Sequence, residues 1–475
     1  MSRNPRPLYL GGKWRHTGTT LRVVNPATSE PFDEVCTIRR TDVAEALHDA
    51  HRAFPAWRAL TGRTRGDYLR KIADALEQRA SEIARIITLE NGKPLAQSAG
   101  EVAMTVDHLR WFAEEARRVY GRVVPHQVDG KRHLVIKSPL GVVGAISPWN
   151  FPLVLAVRKI APALAAGCPV VLKPASATPL SALAFAEAVE AAKLPAGVFQ
   201  VVLGPSAEIA AEFLENPLCR KISFTGSTEV GQSLIRGAAA GVKPLSLELG
   251  GHAPLLVFAD ADLDRAVEGA AIAKFRNTGQ SCIAANRIYV QRPVYDEFLH
   301  RFAAAVAKLP VGDGFEPGVQ VGPMINEAGL AKALAHIDDA VRRGARLVCG
   351  GQRLERKGWF LAPTLLADVP DAAACMAEET FAPIAPVCPF DDEAEVIERA
   401  NASPFGLSAY AFTRDLGRTF RLMEALEAGT IGINDAVPST SQCPFGGAKQ
   451  SGWGRELGSE GLDAFVETRH VSLGL

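Results

Sequence analysis

The chain has 475 residues, 47% of them hydrophobic, which is enough to bury more than one core and predicts two or three domains. Lys plus Arg and Asp plus Glu number 52 each, so no overall field recruits nucleic acid or an anionic membrane. The eight cysteines show no CxxC pair and no dense framework, which favours reduced thiols in the cytoplasm.

The first part of the chain combines a β-like arm with a helical region. Residues 1–7 lack the apolar core of a secretory signal and are expected to form a short flexible leader. A β pattern follows over 8–14 and 21–25, and helical periodicity runs from 43 to about 119. Alternation around Asp129-Gly130 predicts a hairpin over 121–136. This hairpin could reach a neighbouring subunit or remain a local ribbon.

From residue 141 onward, apolar strands alternate with helices rich in alanine and leucine, which predicts parallel sheets covered by helices. The uncharged stretch 138–157 contains three prolines, so we interpret it as a strand, a loop and a helix start rather than a membrane span. The change between two series of strands falls near Gly250-Gly251. The predicted strands are 141–146, 170–172, 198–203 and 221–224, then 254–258, 287–290, 385–390, 408–412 and 430–433, with helices in the second series at 263–275, 294–309 and 416–426.

A cysteine and a glutamate in distinctive strings provide the main chemical signal. Cys282 ends Asn277-Thr278-Gly279-Gln280-Ser281-Cys282, and Glu248 lies in Leu247-Glu248-Leu249-Gly250-Gly251. A thiolate adds to a carbonyl, and the thioester it leaves needs a base that activates water. Taken alone, either residue is more simply a buried structural side chain.

Three more strings follow predicted strands, where ligands of parallel sheets bind. Gly226 and Ser227 precede a helix and suit a phosphate, although the full GxGxxG pattern is missing and a capped turn would look the same. Lys173 and Ser176 could hold a ribose or belong to a solvated turn. Asn150 lies between two prolines and could donate to an oxyanion together with the backbone N–H of Cys282.

These strings together resemble the motifs of the aldehyde dehydrogenase superfamily, in order and spacing, over nearly the whole chain. The resemblance implies an α/β fold with a Rossmann-like parallel-sheet cofactor domain (1–120 and 141–250), a second α/β catalytic domain (251–435) and a small β oligomerisation arm (121–140 and 460–475). The strings are Trp149-Asn150-Phe151-Pro152, Lys173-Pro174, Phe224-Thr225-Gly226-Ser227, Glu248-Leu249-Gly250-Gly251, Gly279-Gln280-Ser281-Cys282, Glu378-Glu379-Thr380-Phe381 and Pro444-Phe445-Gly446-Gly447 with Ser451-Gly452 and Gly454-Arg455-Glu456.

The resemblance also assigns roles. It implies Cys282 as nucleophile, Glu248 as base and Asn150 as oxyanion donor. Arg158, Arg276 and Ser439 look like the carboxylate ligands of the succinate-semialdehyde branch. The residues implied for an NAD or NADP site are Ile146, Ser147, Pro148, Trp149, Lys173, Pro174, Ala175, Ser176, Gly204, Phe224, Gly226, Ser227, Val230, Leu249, Glu379 and Phe381.

Several alternatives stay open at this point. Ala284 stands where that branch often has a second cysteine and Ala382 where the family usually has glycine, so glutarate semialdehyde, hydroxy aldehydes and aliphatic aldehydes remain candidate substrates. Ser176 does not repel a 2′-phosphate, so NADP should be accepted at least comparably to NAD. A CoA-acylating enzyme and a dinucleotide-binding structural protein are the rival classes. We expect a homodimer or homotetramer, and the dispersed histidines suggest no metal site.

Overall fold

The computed structural model describes residues 4–475, so the first three residues of the expected leader lie outside the described part. The N-terminal region contains two antiparallel strand pairs and then four helices. Arg6, within the expected leader, forms a β-bridge with Val35. The elements are β1 (Leu8–Leu10), β2 (Lys13–Arg15), β3 (Thr19–Asn25), β4 (Glu30–Thr37), α1 (Arg40–Ala59), α2 (Gly62–Gln78), α3 (Ala80–Asn91) and α4 (Leu95–Glu115).

The next segment forms the predicted hairpin and the first large sheet. All five residues of the central strand β7 are buried, as expected for a parallel strand with helices on both faces. The four predicted strands are confirmed to within two residues at either end, and β11 is an additional strand. The elements are β5 (Arg122–Val124), β6 (Lys131–Pro139), β7 (Val142–Ile146), α5 (Val154–Ala166), β8 (Val170–Lys173), α6 (Leu180–Ala191), β9 (Phe199–Val201), α7 (Ser206–Glu215), β10 (Cys219–Thr225), α8 (Thr228–Ala239) and β11 (Leu245–Glu248).

A second sheet of seven strands follows, in the order β14-β15-β16-β13-β12-β18-β19. The five predicted strands are confirmed, while β14 and β15 are additional strands, and β14 pairs antiparallel with β15 at the edge of the sheet. The elements are β12 (Ala253–Val257), α9 (Leu263–Phe275), β13 (Ala285–Gln291), α10 (Arg292–Ala307), α11 (Glu327–Arg342), β14 (Arg346–Cys349), β15 (Thr364–Ala367), α12 (Ala374–Ala377), β16 (Ile384–Phe390), α13 (Glu393–Asn401), β17 (Phe405–Gly406), β18 (Ser408–Phe412), α14 (Leu416–Ala425) and β19 (Thr430–Ile433).

The C-terminal segment returns to both earlier regions. Its elements are β20 (Ala448–Lys449), β21 (Gly452–Trp453), α15 (Gly458–Asp463) and β22 (Val466–Gly474). Strand β21 pairs antiparallel with β11 and completes the first sheet, in the order β21-β11-β10-β7-β8-β9. Strand β22 pairs along the whole of β6, so the hairpin and the C-terminal strand form one three-stranded sheet.

The chain passes from the first sheet to the second between β11 and β12, and the candidate residues gather at this crossing. A parallel sheet leaves its ligand sites beyond the carboxyl ends of the strands, which is where β7, β10 and β11 end. Within residues 4–475, none of the helices is long and apolar enough to span a membrane.

Candidate active site

A cavity of about 200 Å³ opens at the carboxyl ends of β7, β10 and β11. It brings together the nucleophile and oxyanion candidates with seven of the residues expected at the cofactor. Its lining also includes two residues without a predicted role, Thr225 and Gly250. The lining residues are Pro148, Trp149, Asn150, Thr225, Gly226, Ser227, Leu249, Gly250, Cys282, Glu379 and Phe381.

The loop that carries Cys282 has an unusual backbone. Asn277, Thr278 and Gly279 have φ angles of 52°, 60° and 71°, a left-handed run that costs about 1–3 kcal/mol for each non-glycine residue. Thr278 Oγ1 donates to the carbonyl of Gly322 at 3.1 Å and accepts its N–H at 3.0 Å. A Cβ on Gly279 would lie 2.2 Å from the carbonyl oxygen of Ala382, so only glycine fits there. Tertiary hydrogen bonds therefore hold a strained approach to the thiol.

The thiol of Cys282 is half-buried at the cavity. Burial raises its pKa to about 12, and the charge of Glu379 adds to the increase while the guanidinium of Arg158 opposes it. The thiolate is the nucleophilic form of cysteine. Burial therefore favours the neutral thiol, and a base or a nearby positive charge is needed to form the reactive thiolate.

Asn150 follows β7 in a segment without regular structure, and its carbonyl is fixed from two sides. Lys93 Nζ donates to the Asn150 carbonyl oxygen at 2.7 Å and Asn277 Nδ2 donates to the same oxygen at 2.8 Å. The Asn150 side-chain Nδ2 donates to the carbonyl of Gln280 at 3.2 Å. An amide NH₂ carries two hydrogens, so one remains for a ligand in the cavity.

A buried ion pair supports this segment. Lys93 Nζ lies 2.6 Å from Glu101 Oε2, and both side chains are almost inaccessible to solvent. The other oxygen, Oε1, accepts the N–H groups of Leu153 and Val154 at 2.9 and 3.2 Å, and so caps the start of α5. No sequence pattern marks either residue, because their role depends on contacts with a segment far along the chain.

Glu248, the predicted base, ends β11 beside the cavity without lining it. Its buried Oε2 has no hydrogen-bond partner within residues 4–475, and a Cβ on Gly446 would lie 2.8 Å from its Oε1. Burial raises its pKa well above the usual range, the charge of Glu456 raises it further, and the ammonium of Lys159 opposes both. Lys159 itself bonds to Glu456 and to Thr225 Oγ1. The raised pKa makes Glu248, in its ionised form, a stronger base than an exposed carboxylate.

Neither predicted arginine lines the cavity that contains the nucleophile: Arg158 is close enough to lower the pKa of the thiol, whereas Arg276 lines a separate cavity. Arg158 is 5% exposed, its Nη2 donates to Ser439 Oγ at 2.9 Å, and its guanidinium lies 4.7 Å from the ring centroid of Phe445. The guanidinium of Arg276 lies 5.5 Å from the ring centroid of Phe151. Among residues 4–475, neither arginine has an acidic side chain within ion-pair distance. Burial lowers the pKa of both.

The nicotinamide end of the predicted cofactor site is well formed. Glu379 accepts the N–H of Gly251 at 3.0 Å, and burial raises its pKa to about 7. The rings of Trp149 and Phe381 meet edge to face at 5.5 Å. In the described part of the chain the buried Ser147 Oγ has no hydrogen-bond partner, so this hydroxyl fits a role as a ligand contact.

The phosphate and ribose end lies along β8 and at the start of α8. Ser227 caps α8 through the N–H of Val230 at 3.4 Å, at a helix N-terminus whose partial positive charge suits an anion. Lys173 ends β8, donates to the Pro174 carbonyl at 3.2 Å and has its pKa lowered to about 8 by burial. Ser176 is half-buried in the following loop. These residues fit a dinucleotide laid across the sheet edge. The remaining predicted contacts, Ile146, Ala175, Gly204 and Phe224, lie at strand ends or in the loops of the same sheet and do not line the cavity.

The sequence matches one protein family over nearly its whole length. Residues 14–471 match the profile of the Aldehyde dehydrogenase family. The chain belongs to the aldehyde dehydrogenase family. A family member from Escherichia coli strain K12, a succinate-semialdehyde dehydrogenase [NADP(+)], is 50% identical over 98% of this chain and 97% of its own length. A glutarate-semialdehyde dehydrogenase from Pseudomonas aeruginosa is 49% identical over 98% and 97% of the two chains.

Solved structures in the family share the whole fold. The crystal structure of an E. coli NADP-dependent enzyme superposes with a TM-score of 0.98 at 48% identity, and the match covers 99% of this chain and 98% of that one. The family membership and the Rossmann-like α/β fold expected from the sequence are therefore confirmed.

Proposed function

We propose that this aldehyde dehydrogenase oxidises a short aldehyde with a distal carboxylate, such as succinate semialdehyde, to the corresponding acid with NAD or NADP. The observation that carries the proposal is the guanidinium of Arg158, which is buried within electrostatic reach of Cys282 and has no acidic side chain at ion-pair distance among residues 4–475, with Arg276 as a second arginine that lacks such a partner. The charge of Arg158 lowers the pKa of Cys282, so the two groups are electrostatically coupled. Buried charges normally have a counter-ion, and a substrate carboxylate is the partner that this site lacks. The semialdehyde names of the two relatives above agree with this chemistry.

Each catalytic step can be assigned to a side chain at the cavity. Cys282, once deprotonated, attacks the aldehyde carbon. The free Nδ2 hydrogen of Asn150 and the backbone N–H of Cys282 hold the alkoxide, and removal of such a donor typically costs about 10²–10³ in rate. A bound nicotinamide cofactor would supply a hydride acceptor, and loss of hydride from the former aldehyde carbon leaves a thioester on Cys282. Glu248 then takes a proton from the water that hydrolyses the thioester on Cys282.

Cofactor choice depends on Ser176. A carboxylate at this place would bind the 2′-hydroxyl of NAD and repel the 2′-phosphate of NADP. Ser176 carries no charge. Lys173, which has an ammonium group, is the last residue of β8, the strand that precedes Ser176. We therefore expect NADP to be accepted at least comparably to NAD. The E. coli relative named for NADP(+) supports this expectation.

Other substrates and one rival activity are compatible with the same fold. Glutarate semialdehyde and other short oxo-acids present the same distal carboxylate, so the two arginines do not distinguish them from succinate semialdehyde. A CoA-acylating enzyme would have no need of the base, and the presence of Glu248 argues against that rival.

We also expect the three-stranded sheet of β5, β6 and β22 to join subunits in a homodimer or homotetramer.

A panel assay tests the proposal. Purified enzyme is given succinate semialdehyde, glutarate semialdehyde or hexanal with each cofactor, and the absorbance of the reduced cofactor is followed. We expect a higher kcat/KM for both semialdehydes than for hexanal, and no turnover by Cys282→Ala. Equal kcat/KM for charged and uncharged aldehydes would reject the distal carboxylate, and turnover by Cys282→Ala would reject the nucleophile.

A further inference from the structure

A histidine lies directly behind the arginine that is proposed to bind substrate. His108 on α4 is 1% exposed, and its Nε2 lies 3.4 Å from Arg158 Nε. Its other ring nitrogen, Nδ1, lies 2.8 Å from Ser441 Oγ. Ser441 Oγ is in turn bonded to Asp107 Oδ2. A chain of hydrogen bonds thus runs from an exposed carboxylate on α4 to the buried guanidinium.

The donors in this chain fix the protonation state of the ring. An arginine N–H can only donate, so His108 Nε2 must accept from Arg158. The single ring proton then lies on Nδ1 and is donated to Ser441, and Ser441 donates its own proton to Asp107. Burial and the charge of Arg158 lower the pKa of His108 well below its usual value, in agreement with a neutral ring.

The consequence concerns the charge that Arg158 keeps. All three groups that hold its guanidinium are uncharged: the ring of His108, the hydroxyl of Ser439 and the face of Phe445. A carboxylate in the place of His108 would orient the arginine equally well but would pair with its charge. With a neutral acceptor, the arginine is oriented while its charge remains available to a ligand.

We propose that His108 is a specificity-determining positioning residue, which holds Arg158 through a neutral acceptor so that the enzyme selects aldehydes with a distal anionic group. This inference rests on the proposed function. His108 does not line the cavity that contains Cys282, so its effect is transmitted through Arg158.

Three substitutions separate orientation from charge. His108→Gln keeps a neutral acceptor, His108→Phe removes the acceptor, and His108→Glu introduces a carboxylate beside Arg158. The readout is the ratio of kcat/KM for succinate semialdehyde to kcat/KM for hexanal. We expect the Gln variant to retain the ratio within about threefold, and the Glu variant to lower it by about ten- to a hundredfold, through KM for the semialdehyde.

The ratio for the Phe variant should fall between the other two, because this variant loses the orientation of Arg158 and keeps its charge. A purely structural role for His108 would lower kcat/KM for both substrates together and leave the ratio unchanged. The inference is overturned if the Glu variant keeps the wild-type ratio, or, should that variant not fold, if the Gln and Phe variants have the same ratio. Failure of the proposed function would look different, because the wild-type enzyme itself would then show no preference for the semialdehyde.

Discussion

Replacement of Arg158 by methionine tests the substrate assignment most sharply. Methionine keeps an unbranched side chain against Phe445 and removes only the charge and the donors. In the structure, Nε and one hydrogen of Nη2 are engaged by His108 and Ser439, so the other three N–H groups of the guanidinium are left for a substrate carboxylate. A hydrogen bond to a charged group contributes about 1.5–3 kcal/mol, which corresponds to roughly 10- to 150-fold in kcat/KM.

The assay compares succinate semialdehyde with hexanal at a saturating cofactor concentration. We expect Arg158→Met to raise KM for the semialdehyde with little change in its kcat, since the carboxylate is bound alike in ground and transition states. Hexanal should be affected far less. Arg63→Met, at an exposed arginine of α2, is the matched control and should alter neither substrate. A similar loss for both aldehydes would show that Arg158 supports the fold and does not read the substrate.

Three further changes probe the thiol, the cofactor and the scaffold. In cofactor-free Cys443→Ser enzyme, alkylation of Cys282 should accelerate from pH 7 to 10 without levelling, because its thiolate fraction grows until the pH passes a pKa of about 12; a plateau near pH 8 would contradict this. Ser176→Glu should lower kcat/KM for NADP relative to NAD by roughly 100-fold through like-charge repulsion, and an unchanged ratio would remove Ser176 from the site. Glu101→Ala should lower the free energy of unfolding by about 3–5 kcal/mol, because Lys93 then stays buried without its counter-ion. The midpoint of thermal unfolding should therefore be well below the midpoint of Asp67→Ala, the control that breaks a surface ion pair. Equal midpoints would refute the supporting role of the buried pair.

Much of the fold was predictable because the central strands of both large sheets are buried on both faces. A run such as that of β7 or β12 is continuously apolar, and flanking helical periodicity marks the covering layers. The edges were harder to predict. Strand β21 has two residues and joins the first sheet only through pairing with β11, which no local pattern reveals.

The chemical strings were also visible, since each one follows a strand or a tight turn. Their supports were not visible, because these are long-range contacts. Lys93 reaches the carbonyl of Asn150 across 57 positions of the chain, and His108 reaches Arg158 across 50. Lys93 lies between α3 and α4 in no recognisable motif, and only the folded structure shows which groups its ammonium contacts. Glu248 could be named from its string, but its position against Gly446 could not.

The central claim is that Cys282 forms a thioester which Glu248 helps to hydrolyse. Glu248→Gln enzyme should be mixed with succinate semialdehyde and NADP, and the reaction should be quenched in acid within the first turnover. The account predicts a burst of reduced cofactor close to one per active site, and an acyl adduct on the peptide that contains Cys282. An equal burst with no adduct, or an adduct on another residue, would contradict it.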